Sequence, residues 1–233
     1  MVPETHINRL FTVASLLLIA CVVMLLAWPR LAASYRYLPV DIALARYYSS
    51  REIPSDRLEV LIRFATEAAR QDDSYRYHDG LSLLHLLRAL DLNTPALERR
   101  DAYLASMDEA KLSLQRAPAQ PAIWLRLANI RWVLHEEPED IVAPWKMSIF
   151  TGRTDSTLFT QRMEIGLAHR EYMDAEAVAM LRDQLLLAWR TQPGSLMAVL
   201  SRRDRDLAVT RPLIEATDPV ALAEMEVWLD KLP

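Results

Sequence analysis

Glycine is scarce, with 4 in 233 residues, and cysteine occurs once, at Cys21. Strand-rich folds of this size need many glycines at turns and bulges, whereas helical hairpins turn on Pro, Asn, Asp and Ser. Four isolated glycines supply neither a Walker loop nor a dinucleotide-binding turn, and no nucleophile-elbow sequence is present. A lone cysteine inside an apolar run leaves the remainder of the chain without an internal disulfide or a zinc-type cluster. Lysine is limited to Lys111, Lys146 and Lys231, and the formal net charge is -4. Without a global positive field, nucleic acid is not an expected partner. Histidines 6, 78, 85, 135 and 169 are scattered with no i,i+4 pair, so neither a metal site nor a cofactor is expected.

What is present begins with an uncharged stretch from Leu10 to Trp28, LFTVASLLLIACVVMLLAW. As a helix rising 1.5 Å per residue it spans about the 30 Å hydrocarbon core of a bilayer. Arg9 and Arg30 bracket it, and Trp28 stands where an interfacial aromatic belongs. A cleavable signal has a shorter apolar core, and Leu31-Ala32-Ala33 matches a cleavage site poorly. Leu18-Ile19-Ala20-Cys21 resembles a lipoprotein box, but Val22 to Trp28 stay apolar where a lipoprotein turns polar. The expected organisation is a tail (1–9), a transmembrane helix (10–28) in contact with lipid, a juxtamembrane segment (29–54) and a helical interaction domain (55–233). A short tail before an apolar helix is the layout of a signal anchor and places the domain outside the cytoplasm, at an inner (plasma) membrane. Arg30, Arg36 and Arg46 after the helix argue the opposite by the positive-inside rule.

Beyond Pro54 apolar residues recur every three to four positions. Leu58, Leu61, Ile62, Ala65 and Ala69 trace one helix face behind Ser55 as N-cap, and Leu81, Leu84, Leu87 and Leu90 trace another. Thr94-Pro95 reads as an N-cap followed by proline at the first helical position. Breaks at Pro118, Pro138, Gly152 and Gln192-Pro193-Gly194, and the cap Asp218-Pro219, punctuate the rest. The last helix carries Leu222, Met225, Val227, Trp228 and Leu232. The fold class is therefore all-α, with eight or nine helices after the anchor. Trp124 to Trp132 resembles the first helix of a tetratricopeptide repeat, although no 34-residue copy recurs. A stack of hairpins and an irregular bundle both satisfy the spacing.

Candidates for chemistry are few. Glu136, Glu137, Glu139 and Asp140 read as a solvated helix end and the next helix start. His85 reads as a boundary histidine, and Arg202, Arg203 and Arg205 alternate with Asp204 and Asp206, which cancels their field. Catalysis is not expected. Trp124, Trp132, Trp145 and Trp189 are candidate partner-binding residues, since stacked hairpins leave aromatics along a groove that anchors a peptide or sugar. Arg153, in the turn-rich stretch Ser148 to Ser156, is a further candidate contact.

The strings PAQPAIWLRLA (Pro118 to Ala128) and SIFTGR (Ser148 to Arg153), with Arg162, Gly166-Leu167-Ala168, Leu181-Arg182-Asp183-Gln184 and Ala188-Trp189-Arg190, carry a resemblance. They resemble small membrane-anchored, TPR-like proteins of bacterial exopolysaccharide clusters, called VpsP-like, over Ala117 to Leu200. The resemblance implies a non-catalytic scaffold or accessory protein of polysaccharide synthesis or export that binds protein partners; a glycan contact is a separate expectation, from the patch of Arg202, Arg203 and Arg205. Arg131, where the repeat prefers an aromatic, departs from the pattern. The rival expectation is a permanent structural subunit of a larger integral-membrane complex, respiratory, photosynthetic or secretory.

Overall fold

A computed structural model describes residues 4–50 and 53–231, with side chains from 12 to 49 and from 53 to 231. Residues 1–3 of the expected tail, the side chains of His6, Arg9 and Leu10, and Leu232 with Pro233 lie outside the described residues. Every described element is helical, in keeping with the expected class.

The apolar run is one part of a single helix, α1, from Glu4 to Ser50. Pro29 and Pro39 sit inside it; each removes one backbone donor without ending the helix. The expected juxtamembrane segment is thus helical up to Ser50, and three of its residues, Ala33, Tyr37 and Val40, are core. They pack with Leu58, Leu61, Ile62, Ala65 and Ala68 of α2 (Ser55–Gln71) and with Tyr77, Leu81 and Leu84 of α3 (Tyr75–Leu90). Helix α2 starts at Ser55 with Pro54 as its cap residue, and α4 (Ala96–Arg116) starts after Pro95, so neither Ser55 nor Thr94 caps as expected.

Small side chains let α3 and α4 approach closely. Ser82 and Ser106 are fully buried, and Ser106 Oγ donates to the Ser82 carbonyl at 2.6 Å, so a buried hydroxyl is satisfied across the interface. Helices α5 (Pro121–Val133) and α6 (Pro138–Thr151) both open with proline in the first turn, where its missing N–H is no loss. Up to α6 each helix packs chiefly on its neighbours in the chain, as in a stack of hairpins.

The C-terminal half closes differently. Helices α7 (Phe159–Ala168), α8 (Ala175–Thr191), α9 (Pro193–Arg203), α10 (Thr210–Ile214) and α11 (Pro219–Leu229) share one core with α5 and α6. Here α9 touches α7, α8 and α11, which is the connectivity of a bundle. Helix α10 was not expected from the sequence. It is held by Asp204, which is buried and accepts from the backbone N–H groups of Val209 at 3.0 Å and Thr210 at 2.7 Å. Asp204 is therefore not the neutraliser of the neighbouring arginines.

Candidate interaction surface

The five residues singled out from the sequence do not converge. Trp145 is 0% exposed on α6, its indole N–H donating to the Arg162 carbonyl at 2.9 Å. It has no surface to offer a partner; aromatic bulk has filled the core between α6 and α7. Trp124 is half-buried beside the α4–α5 core and donates to the Pro118 carbonyl at 2.7 Å, which pins the turn before α5. Trp132 meets the His169 ring edge-on at 5.3 Å, and the Arg203 guanidinium lies over it at 5.2 Å. Trp189 meets Trp228 of α11 edge-on at 5.9 Å. Arg153 is exposed but forms a two-point pair with Asp183 of α8. That pairing holds the Asp183 carboxyl below the usual carboxylate range, against a smaller opposing push from burial.

Arg153 belongs to a chain of contacts ending inside the core. Its carbonyl accepts from Gln184 Nε2 at 3.0 Å, and Gln184 Oε1 accepts from Arg162 Nη1 at 3.1 Å. Arg162 is 0% exposed and also donates to Ser148, from Nε to Oγ at 3.1 Å and from Nη2 to the carbonyl at 2.6 Å. Burial lowers its pKa to about 10, with Asp155 opposing, so it stays charged at neutral pH without a carboxylate in contact. Neutral acceptors fixed around the planar fork compensate the lost hydration.

Arg202 and Arg203 are neutralised from another element. Both donate to Glu164 of α7 at 2.6 Å, locking α9 onto α7. Burial pushes the Glu164 carboxyl up, and the two guanidiniums together pull it lower still. The acidic run after α5 is likewise engaged, with Arg131 bridging Glu136 and Asp140 at 3.5 and 3.3 Å.

The densest polar network lies where α1 joins the domain, and nothing in the sequence spacing announces it. Tyr37 packs on Tyr77 with ring centroids 4.8 Å apart and planes tilted by 56°, and so closely over Gly80 that a Cβ there would sit 1.6 Å from its hydroxyl. Arg76 reaches Asp41 of α1 at 2.5 Å, Ser34 meets the Tyr77 hydroxyl at 3.1 Å, and Arg36 pairs with Glu67 of α2 at 2.7 Å. One layer further, the buried Arg126 of α5 donates to Asp79 at 2.8 Å. His78 bridges Glu109 of α4 at 2.6 Å and Asp73 at 2.8 Å. Glu109 raises the His78 pKa, burial opposes it, and Asp73 raises it further. Partners 31 to 47 residues apart leave no local signature in the sequence.

Among the described residues, two of the surfaces open to a partner are prominent. One is a groove of ≈ 400 Å³ between the ends of α3, α4 and α5, lined by Arg99, Arg100, Tyr103 and His135. The other is the face of α1 turned away from the domain, where Leu31, Tyr35 and Leu38 are exposed, with Ile42 at its edge beside a groove shared with Ile53, Pro54 and Arg57. Among the described residues no group of His, Cys, Asp and Glu side chains is arranged to hold a metal ion. No protein-family model and no curated protein sequence matches this chain.

Proposed function

We propose that this chain is a membrane-tethered, non-catalytic scaffold or accessory protein whose helical domain binds partner proteins of an inner-membrane assembly. The observation that carries the reading is the junction: the apolar helix runs without a break into the domain and is keyed into it through Tyr37, Gly80 and Asp41. A flexible linker would let an enzyme range over its substrate. A rigid junction holds binding surfaces at a set height and azimuth above the bilayer, which is what a scaffold requires. The strings between Ala117 and Leu200 support polysaccharide synthesis or export as the setting, and the signal-anchor layout of a short tail before the apolar helix supports the extracytoplasmic side.

The test is capture of the full-length, crosslinked protein from membranes. Enrichment of glycan-polymerising or exporting membrane proteins supports the reading; an isolated domain that restores function without its helix overturns it. A second reading, a permanent structural subunit of a larger membrane complex, is favoured by the apolar outward face of α1. Exchanging residues 10–28 for an unrelated transmembrane helix separates the two. A scaffold tolerates the exchange, whereas a subunit packed through that helix does not.

A further inference from the structure

We propose that the turn between α2 and α3 is a foot seated in the headgroup layer of the bilayer that α1 crosses, where Arg30 and Arg70 bind the phosphates of membrane phospholipids. Helix α2 lies antiparallel along α1 over its whole length. Arg30 meets Asp72, Arg36 meets Glu67, and Tyr47 shares a groove with Ser55 at the other end. One register is kept from end to end, so the two helix axes run together.

That register sets the height of the turn. Arg30 follows closely on Trp28, where the uncharged run ends, and at 1.5 Å per residue it stands about 3 Å beyond the hydrocarbon. Asp72, 3.8 Å from it, closes α2 at the same level. The headgroup layer on each side of a bilayer is about 5–8 Å deep. The turn from Asp72 to Ser74 therefore lies within it, together with Arg116 of α4, which donates to both the carbonyl and the carboxylate of Asp73. The far end of α3 stands clear of the layer. Asp91 lines the same groove as Tyr47, about 28 Å past Trp28 along α1.

The side chains at this level suit phosphate. Those of Arg30 and Arg70 are 81 and 75% exposed, and their contacts to Asp72 and Glu67, at 3.8 and 3.9 Å, are too long for hydrogen bonds. Their guanidinium donors are thus left for a planar two-point contact with phosphate oxygens. The carboxylates of the turn do not oppose this. Asp73 is held by Arg116 and by His78 at 2.8 Å, and Arg30 lies beside Asp72. Three guanidiniums, of Arg30, Arg70 and Arg116, stand there against two carboxylates, of Asp72 and Asp73, so the foot is net positive.

The inference rests on the tethered reading, which alkaline carbonate extraction tests separately: release from membranes overturns both, whereas retention leaves the foot to be judged alone. In a Cys21→Ser background, full-length Ser74→Cys and Leu92→Cys variants carry a fluorophore in vesicles of phosphatidylcholine and phosphatidylglycerol. Ser74 makes no capping hydrogen bond and Leu92 is exposed past the far end of α3. Lipids with a nitroxide on the headgroup should quench the label at 74 and spare that at 92. Equal quenching at both positions, or none at 74, overturns the foot. For the phosphates, solid-state NMR of arginine-labelled protein in the same vesicles should show guanidinium carbons dephased by lipid phosphorus. Arg30→Gln with Arg70→Gln should diminish that dephasing, with helicity and melting temperature unchanged. If the double variant misfolds, the quenching pattern still decides the foot. Undiminished dephasing in the folded double variant, or the same dephasing by inorganic phosphate in a maltoside detergent, overturns the two arginines as lipid contacts.

Discussion

Two buried cations fix much of the local architecture, and they respond to different variables. Arg162 has neutral partners only in contact, so its fork geometry matters more than its charge. Arg162→Ala removes three donors, strands the Ser148 carbonyl and opens a cavity, for an expected loss of about 3–5 kcal/mol. Arg162→Met keeps volume without a buried charge and should lose clearly less, as thermal melts of the two variants will show. His78 makes stability depend on pH. Its pKa is raised above 6.5 in the folded chain. Its contribution is therefore complete below pH 6.5 and drains away as pH rises through the raised folded value. The melting temperature should fall across that window, and His78→Gln should flatten this part of the profile. A wild-type profile that instead rises there would contradict the Glu109 and Asp73 pairing.

At the scale of elements, the α1–α3 contact decides whether the membrane helix and the domain move as one body. Gly80 is required by proximity: a Cβ would meet the Tyr37 hydroxyl at 1.6 Å and its ring carbon at 2.8 Å. Gly80→Ala should cost about 2–3 kcal/mol and expose the α1–α2 connection to protease. Adding Tyr37→Ala should bring a loss smaller than the sum of the two single changes, because the clash no longer exists. Additive losses would show that the two residues do not press on one another. The juxtamembrane segment, residues 29–54, takes part in the domain over much of its length. Positions 33, 37 and 40 belong to the domain core, and the true connection is the short stretch between α1 and α2.

For the whole molecule this moves the boundary of the foldable unit. Removing residues 1–30 spares Ala33, Tyr37 and Val40 and should give a helical, cooperatively melting protein. Removing residues 1–54 strips one side of the α2–α3 core and should lower the melting temperature or cause aggregation. Equal behaviour of the two truncations would sink the claim that α1 is part of the domain. Orientation is open to a separate measurement. Protease added to spheroplasts should digest the domain beyond Arg30 if it is extracytoplasmic. The flanking arginines no longer speak only for the opposite topology, since Arg30 lies 3.8 Å from Asp72 and Arg36 2.7 Å from Glu67. Both have a place in the fold. Protection of the domain in intact spheroplasts would nevertheless put it in the cytoplasm.

The sequence by itself determined the helical class, the apolar run and most helix limits, including Pro121, Pro138, Gly152 and Pro219, because caps, prolines and three-to-four spacing act over a single turn. Helix α10 escaped it, since its start depends on a carboxylate from the preceding turn and its length is five residues. Of the candidate contacts, apolar pattern alone could not separate Trp145 in the core from Trp132 at a half-open edge. The same residue type fits both, and only packing sets exposure. Arg162, His78 and the Tyr37–Gly80 contact were decided by tertiary structure, which brings together groups 14 to 43 positions apart. So was the outward face of α1. Its apolar residues are written in the sequence, but which face of α1 is buried and which is left exposed is chosen by where α2 and α3 dock.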